Sequence, residues 1–89
     1  MEYNIIIRND NLEKNKDLIP LLFDNEDILY ERNHLDMYDI LVNCKLFTSK
    51  SNARKNWNRT GKEIPEGFTD LINIGKLNHR LTIWNPKND

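Results

Sequence analysis

Cysteine is almost missing. Cys44 stands alone among 89 residues, so no internal disulfide can form. With His34 and His79 it makes three soft ligands, scattered along the chain, which argues for a reducing compartment and against a structural zinc site. Glycine and proline are scarce as well, three of each. The glycines, Gly61, Gly67 and Gly75, are too far apart to make a phosphate-cradling loop. No apolar run is longer than three residues, that of Ile5, Ile6 and Ile7 being one, whereas a membrane-spanning helix needs roughly 20. Met1 leads into Glu2 without a basic n-region, an h-region or a cleavage site, so no signal peptide is read and a cytoplasmic location is expected.

What is present reads as one small domain, residues 1–89. The hydrophobic fraction is 38%, and 13 basic against 14 acidic residues leave a formal charge of −1. That is too apolar and too nearly neutral for a disordered chain. Asparagine (14), isoleucine (10) and lysine (8) are abundant. All three have AT-rich codons, which suits a small phage or mobile-element protein of a low-GC bacterium.

The near-neutral total hides a dipolar chain. Residues 1–44 carry four bases against ten acids, a net of −6, and residues 45–89 carry nine bases against four acids, a net of +5. The densest basic stretch, residues 45–62, holds Lys45, Lys50, Arg54, Lys55, Arg59 and Lys62 with no acid among them. It could neutralise several phosphates. Trp57 lies inside it, either as a stacking plane for an unpaired base or as a core anchor.

The expected fold class is α+β, with short helices packed on a small antiparallel sheet that includes a C-terminal hairpin. Residues 3–8 are β-branched and apolar and end at Asn9, Asp10 and Asn11, a strand followed by a turn. Residues 11–19 suit one or two helical turns, Pro20 fits the first turn of a following helix, and Leu21, Leu22 and Phe23 are expected in the core. Residues 24–32 suggest a short helix with acids at its start. Asp36 is a good N-cap, and Met37, Ile40, Leu41 and Cys44 have i, i+3, i+4, i+7 spacing. Ser49 caps a second helix from Lys50 to about Asn58, with Ala53 and Trp57 on one face and Lys50, Arg54 and Lys55 away from it. Gly61 is the expected helix exit. Residues 68–74 alternate, a turn follows at 75–78, and residues 79–84 alternate again, a hairpin ended by Pro86.

No catalytic constellation emerges. His34 beside Asp36 and Asp39 reads as a loop histidine, Cys44 as a buried small hydrophobe, and Ser49 and Ser51 have no paired His and Asp. No cofactor and no enzymatic activity are expected.

The segment Asp39-Ile-Leu-Val-Asn-Cys-Lys-Leu-Phe47, then Ser49-Lys-Ser-Asn-Ala-Arg-Lys55, then Gly61 resembles the αL RNA-binding domain. That module occurs in ribosomal protein S-four of the small subunit, at the C-terminus of bacterial tyrosyl-tRNA synthetases and in some pseudouridine synthases. The end, Ile74-Gly-Lys-Leu-Asn-His-Arg-Leu-Thr-Ile83, is similar to the final turn and strand of the synthetase tail. The resemblance covers residues 39–83. It implies Ser49, Lys50, Ser51, Arg54, Lys55 and Lys76 as RNA contacts. The sequence departs from the family at residues 62–67, which lack its Asn-Gly turn, and at Trp57, where the family has an aliphatic residue.

Three arrangements use this charge layout. The first is a non-enzymatic module for nucleic acid, preferably structured RNA, contacted by Ser49, Lys50, Ser51, Arg54, Lys55, Arg59, Lys62, Lys76, His79 and Arg80. The second is an anti-CRISPR-like inhibitor of a host defence nuclease, presenting Glu26, Asp27, Glu31, Asp36 and Asp39 to a basic groove. The third is a homodimer pairing the acidic half of one copy with the basic half of another.

Overall fold

Ile5, Ile6 and Ile7 belong to the strand that the β-branched run predicts, and that strand lies inside the sheet, buried on both faces. The structure is a computed structural model and describes residues 2–23, 27–75 and 77–86. The fold is α+β: strand β1 (Glu2–Arg8), a 3-10 segment (Glu13–Leu18), helix α1 (Ile19–Leu22), strand β2 (Leu29–Arg32), helices α2 (Met37–Asn43) and α3 (Lys50–Asn56), and strands β3 (Gly67–Ile74) and β4 (His79–Asn85). These form two compact units: a sheet unit, Met1–Asn33 with Pro65–Asp89, and a helical unit, His34–Ile64.

The sheet runs β2-β1-β4-β3. It is mixed rather than antiparallel. β1 runs parallel to both β2 and β4, and only the expected C-terminal hairpin, β3 with β4, is antiparallel. A continuous apolar run is what a strand with parallel neighbours and two covered faces needs. On one face Ile6 and Trp84 are register partners and pack with Phe23, against which Leu12, Ile19, Leu22 and Ile28 close. On the other face Ile5, Leu81 and Ile83 are fully buried.

Several expectations are corrected here. Residues 29–32 form the edge strand β2, not part of a helix. Ile28, Leu29 and Arg32 mimic helical spacing, but four residues pairing with β1 in register satisfy their backbone groups instead. Residues 24–26 lie outside the described residues. Of the three expected core residues, Phe23 is buried and Leu22 half-buried, while Leu21 is 78% exposed, because a single turn of α1 presents only one side to the sheet. Pro20 sits in that first turn as expected. The alternation of β3 breaks at an irregularity between Leu71 and Ile74, so Ile72 points out and Ile74 is buried. Asn73 and Asn78 adopt left-handed conformations at φ 58 and 53, with Gly75 at 71 between them, a region that Asn and Gly enter at least cost.

In the helical unit α2 starts as the Asp36 cap predicts. Asp39 N–H donates to Asp36 Oδ1 at 2.9 Å and Asp36 N–H donates to Asp39 Oδ2 at 3.0 Å, a reciprocal capping box with Asp in the third position. Met37 N–H donates to the Lys62 carbonyl at 2.8 Å, so the chain leaving the unit satisfies an amide that a helix start leaves open. The helix ends in a Schellman motif: Leu46 N–H reaches the Leu41 carbonyl and Lys45 N–H the Val42 carbonyl, with Lys45 at φ 61 in the place where glycine is usual. Helix α3 is capped by Ser49 Oγ, which accepts from Asn52 N–H at 3.1 Å. It ends at Asn56 with Trp57 as C-cap, so Gly61 is not its exit but lies in the loop beyond.

Candidate nucleic-acid interface

Charge sorts by unit more usefully than by sequence half. The helical unit has six Lys and Arg against Asp36, Asp39 and Glu63, a net of +3, which leaves −4 for the sheet unit. The expected contacts Ser49, Lys50, Ser51, Arg54, Lys55, Arg59 and Lys62 all fall in the helical unit, whereas Lys76, His79 and Arg80 belong to the sheet unit.

The ordering of these side chains begins with Ala53 and Trp57, one helical turn apart and both buried. Phe47 meets the Trp57 ring edge-on at 6.3 Å, and Trp57 Nε1 donates to Thr60 Oγ1 at 2.9 Å. Trp57 is thus a core anchor with its one polar atom satisfied. With that face turned inward, Ser51, Arg54 and Lys55 are exposed, and Arg59 and Lys62 are exposed in the loop that follows. Two guanidinium groups lie against aromatic rings: Arg54 is 5.9 Å from the Tyr38 centroid and Arg59 5.4 Å from that of Trp57. Such contacts hold a planar cation in place. Arg54, Lys55 and Lys62 form no ion pair among the described residues.

Not every expected contact is available. Ser49 is occupied as the cap. Lys50 Nζ lies 3.1 Å from Asp36 Oδ2 and 3.2 Å from Asp39 Oδ1, bracing the start of α3 against the cap of α2. Burial of Asp36 works against its ionisation, but the Asp39 amide and the Lys50 ammonium outweigh it and hold the carboxyl below its ordinary value of 3.8. The Asp36 and Asp39 carboxylates raise Lys50 above its ordinary 10.5. A depressed carboxyl stabilises the fold above its unfolded pKa, and that stabilisation is lost as pH falls through the folded value. The Asp36 carboxyl should therefore titrate below 3.8 by NMR and move upward in Lys50→Met. A midpoint unchanged by the substitution would show that the lysine contributes nothing.

Arg80 is engaged too. Its Nε and Nη2 donate to Asp70 at 2.9 and 2.7 Å, and Glu2 lies 3.8 Å from Nη1. The Arg80 guanidinium, helped by the Thr82 hydroxyl, holds Asp70 below the usual carboxylate range against the opposing effect of burial. His79 packs its ring 5.8 Å from Tyr3, and its Nδ1 is buried without a hydrogen bond. Lys76 lies outside the described residues.

Among the acids of the inhibitor arrangement, Asp36 and Asp39 are taken by the capping box and Lys50. Asp27 is exposed, and its carbonyl accepts from the Asn4 side chain at 3.3 Å. Glu31 sits half-buried on β2, and Glu26 lies outside the described residues.

Two features of the basic face escaped the sequence reading. Tyr38 meets Arg54 only through folding. Thr48, Asn52 and Asn56 form an exposed polar ladder: Asn52 Nδ2 donates to Thr48 Oγ1 at 3.0 Å, and Asn56 Nδ2 donates to Asn52 Oδ1 at 2.7 Å. The i, i+4 spacing of these three residues was the available signal.

No protein-family model matches the chain, and comparisons with curated proteins and with solved structures give no match either. No helix among the described residues is long and apolar enough to cross a membrane.

Proposed function

We propose that the chain is a non-enzymatic nucleic-acid-binding protein that engages structured RNA through the helical unit. The observation that carries this reading is the set of exposed cations Arg54, Lys55, Arg59 and Lys62 on one small unit of net charge +3, in which two of the three acids, Asp36 and Asp39, are already engaged by Lys50. Phosphates replace counterions at such cations. The guanidinium planes of Arg54 and Arg59, steadied by Tyr38 and Trp57, suit unstacked bases. The amides of Asn52 and Asn56 and the hydroxyl of Ser51 add neutral donors and acceptors beside them. The resemblance of residues 39–83 to the αL RNA-binding domain points the same way.

Within this proposal Lys50 and Ser49 build the surface and do not touch RNA, and Trp57 supports it from beneath. Charge reversal tests it. Arg54→Glu combined with Lys55→Glu should abolish binding to a folded RNA hairpin with the melting temperature nearly unchanged, since both side chains are exposed. Glu31→Lys should bind as well as the wild type. Tight binding by the double variant would overturn the proposal, and loss of a protein partner in Glu31→Lys would favour the acidic surface.

A further inference from the structure

A second feature lies wholly in the sheet unit. Arg8 and Arg32 are the last residues of the parallel strands β1 and β2 and are register partners. Neighbouring strands are about 4.8 Å apart and partners project from the same face, so the two exposed arginines leave the sheet at adjacent positions on one face. Like charges directly opposite are destabilising. Neither arginine forms an ion pair among the described residues.

An open groove of about 630 Å³ lies at this end of the sheet, lined by Arg8, Tyr30, Leu12 and Ile19 among others. Tyr30 is 46% exposed and belongs to the same side-chain row as the two arginines. Lys16 and Glu13 also line the groove and are paired at 2.8 Å, so neither adds a net charge to it. Asp10, also in the lining, makes no ion pair among the described residues. The loop leaving β1 is held in place: Asn9 Nδ2 donates to Asn85 Oδ1 at 2.9 Å and to the Pro86 carbonyl at 2.7 Å, and Asn11 N–H donates to Asn9 Oδ1 at 2.9 Å. The carboxyl ends of parallel strands, next to the crossover that joins them, are where open sheets bind ligands.

We propose that this groove binds a nucleoside phosphate, with Arg8 of the lining and Arg32, its register partner on β2 outside the lining, clamping the phosphate and the base lying on Tyr30. A shared phosphate relieves the repulsion between the two guanidinium groups and accepts their paired donors. Leu12 and Ile19 of the lining give the base apolar contacts, and Asp10 accepts from a ribose hydroxyl. A free nucleotide and the 5′-phosphorylated end of a strand present the same chemistry.

Calorimetry on the full chain tests this with ADP, adenosine, inorganic phosphate and a short oligonucleotide with or without a 5′-phosphate. The oligonucleotide arms use the Arg54→Glu, Lys55→Glu background, which silences the helical surface without touching the groove. ADP should bind saturably, with adenosine and phosphate each weaker. Arg8→Ala and Arg32→Ala should each weaken ADP about tenfold and should not lower the melting temperature, because they remove a repulsion. Tyr30→Ala should weaken ADP but not phosphate. Tighter binding of ADP than of the 5′-phosphorylated strand assigns a free nucleotide, and the reverse order assigns a strand end. The absence of saturable binding by either ligand, or equal ADP affinity in wild type and both arginine variants, would overturn the proposal.

Discussion

Ile83→Asp should leave the chain unfolded at room temperature. Ile83 is fully buried on β4, which is hydrogen-bonded on one side to β1 and on the other to β3, and its register partners are Ile5 and Thr69. An aspartate there removes the apolar contacts of an isoleucine and places a carboxylate in a fully buried position beside Ile5. Loss of a large core side chain alone costs about 2–5 kcal/mol, and the unpaired buried charge adds several more. A domain has only about 5–15 kcal/mol to lose. Leu71→Asp should be milder, since Leu71 is half-buried on the edge strand β3, where the new carboxylate can turn toward water. Circular dichroism melting of both variants is the check. Cooperative melting of Ile83→Asp within a few degrees of wild type would show that β4 is not the inner strand described.

Trp57→Ala should cost about 3–5 kcal/mol, the usual range for a large buried aromatic. The ring is 5% exposed, touches Phe47 edge-on and supports the Arg59 guanidinium from below. Its removal leaves Thr60 Oγ1 without its indole donor and empties the space beside Ala53. RNA affinity should fall together with stability, because Arg59 loses its platform. Trp57→Phe separates these effects: it keeps an aromatic surface, loses the hydrogen bond, and should fall between wild type and alanine in denaturant midpoint. A Trp57→Ala protein that unfolds at the wild-type midpoint yet binds RNA more weakly would instead make Trp57 a stacking surface.

Local signals were legible and long-range ones were not. Met37, Ile40, Leu41 and Cys44 read as a helical stripe because burial of one face imposes that period, and all four are buried. The caps at Asp36 and Ser49 and the hairpin turn were readable because each is satisfied within a few residues. The direction of β1 against β4 was not, since those strands pair across more than seventy residues and an apolar run carries no sign of its neighbours' direction. β2 was missed because four residues at an edge carry too little pattern to outweigh a chance helical spacing. The basic stretch was visible as composition, but composition does not reveal which charges are spent. Lys50 is drawn to Asp36 and Asp39, and Arg80 to Asp70, by contacts that exist only once the chain has folded.

Binding to a folded RNA hairpin, titrated over a range of salt concentrations, tests the central claim most directly. If Arg54, Lys55, Arg59 and Lys62 each meet a phosphate, four counterions are displaced. The slope of log affinity against log salt should then be about −3. The Arg54→Glu, Lys55→Glu protein should show no measurable binding from which to draw a slope. A wild-type slope near zero, or no binding even at the lowest salt, would contradict the account.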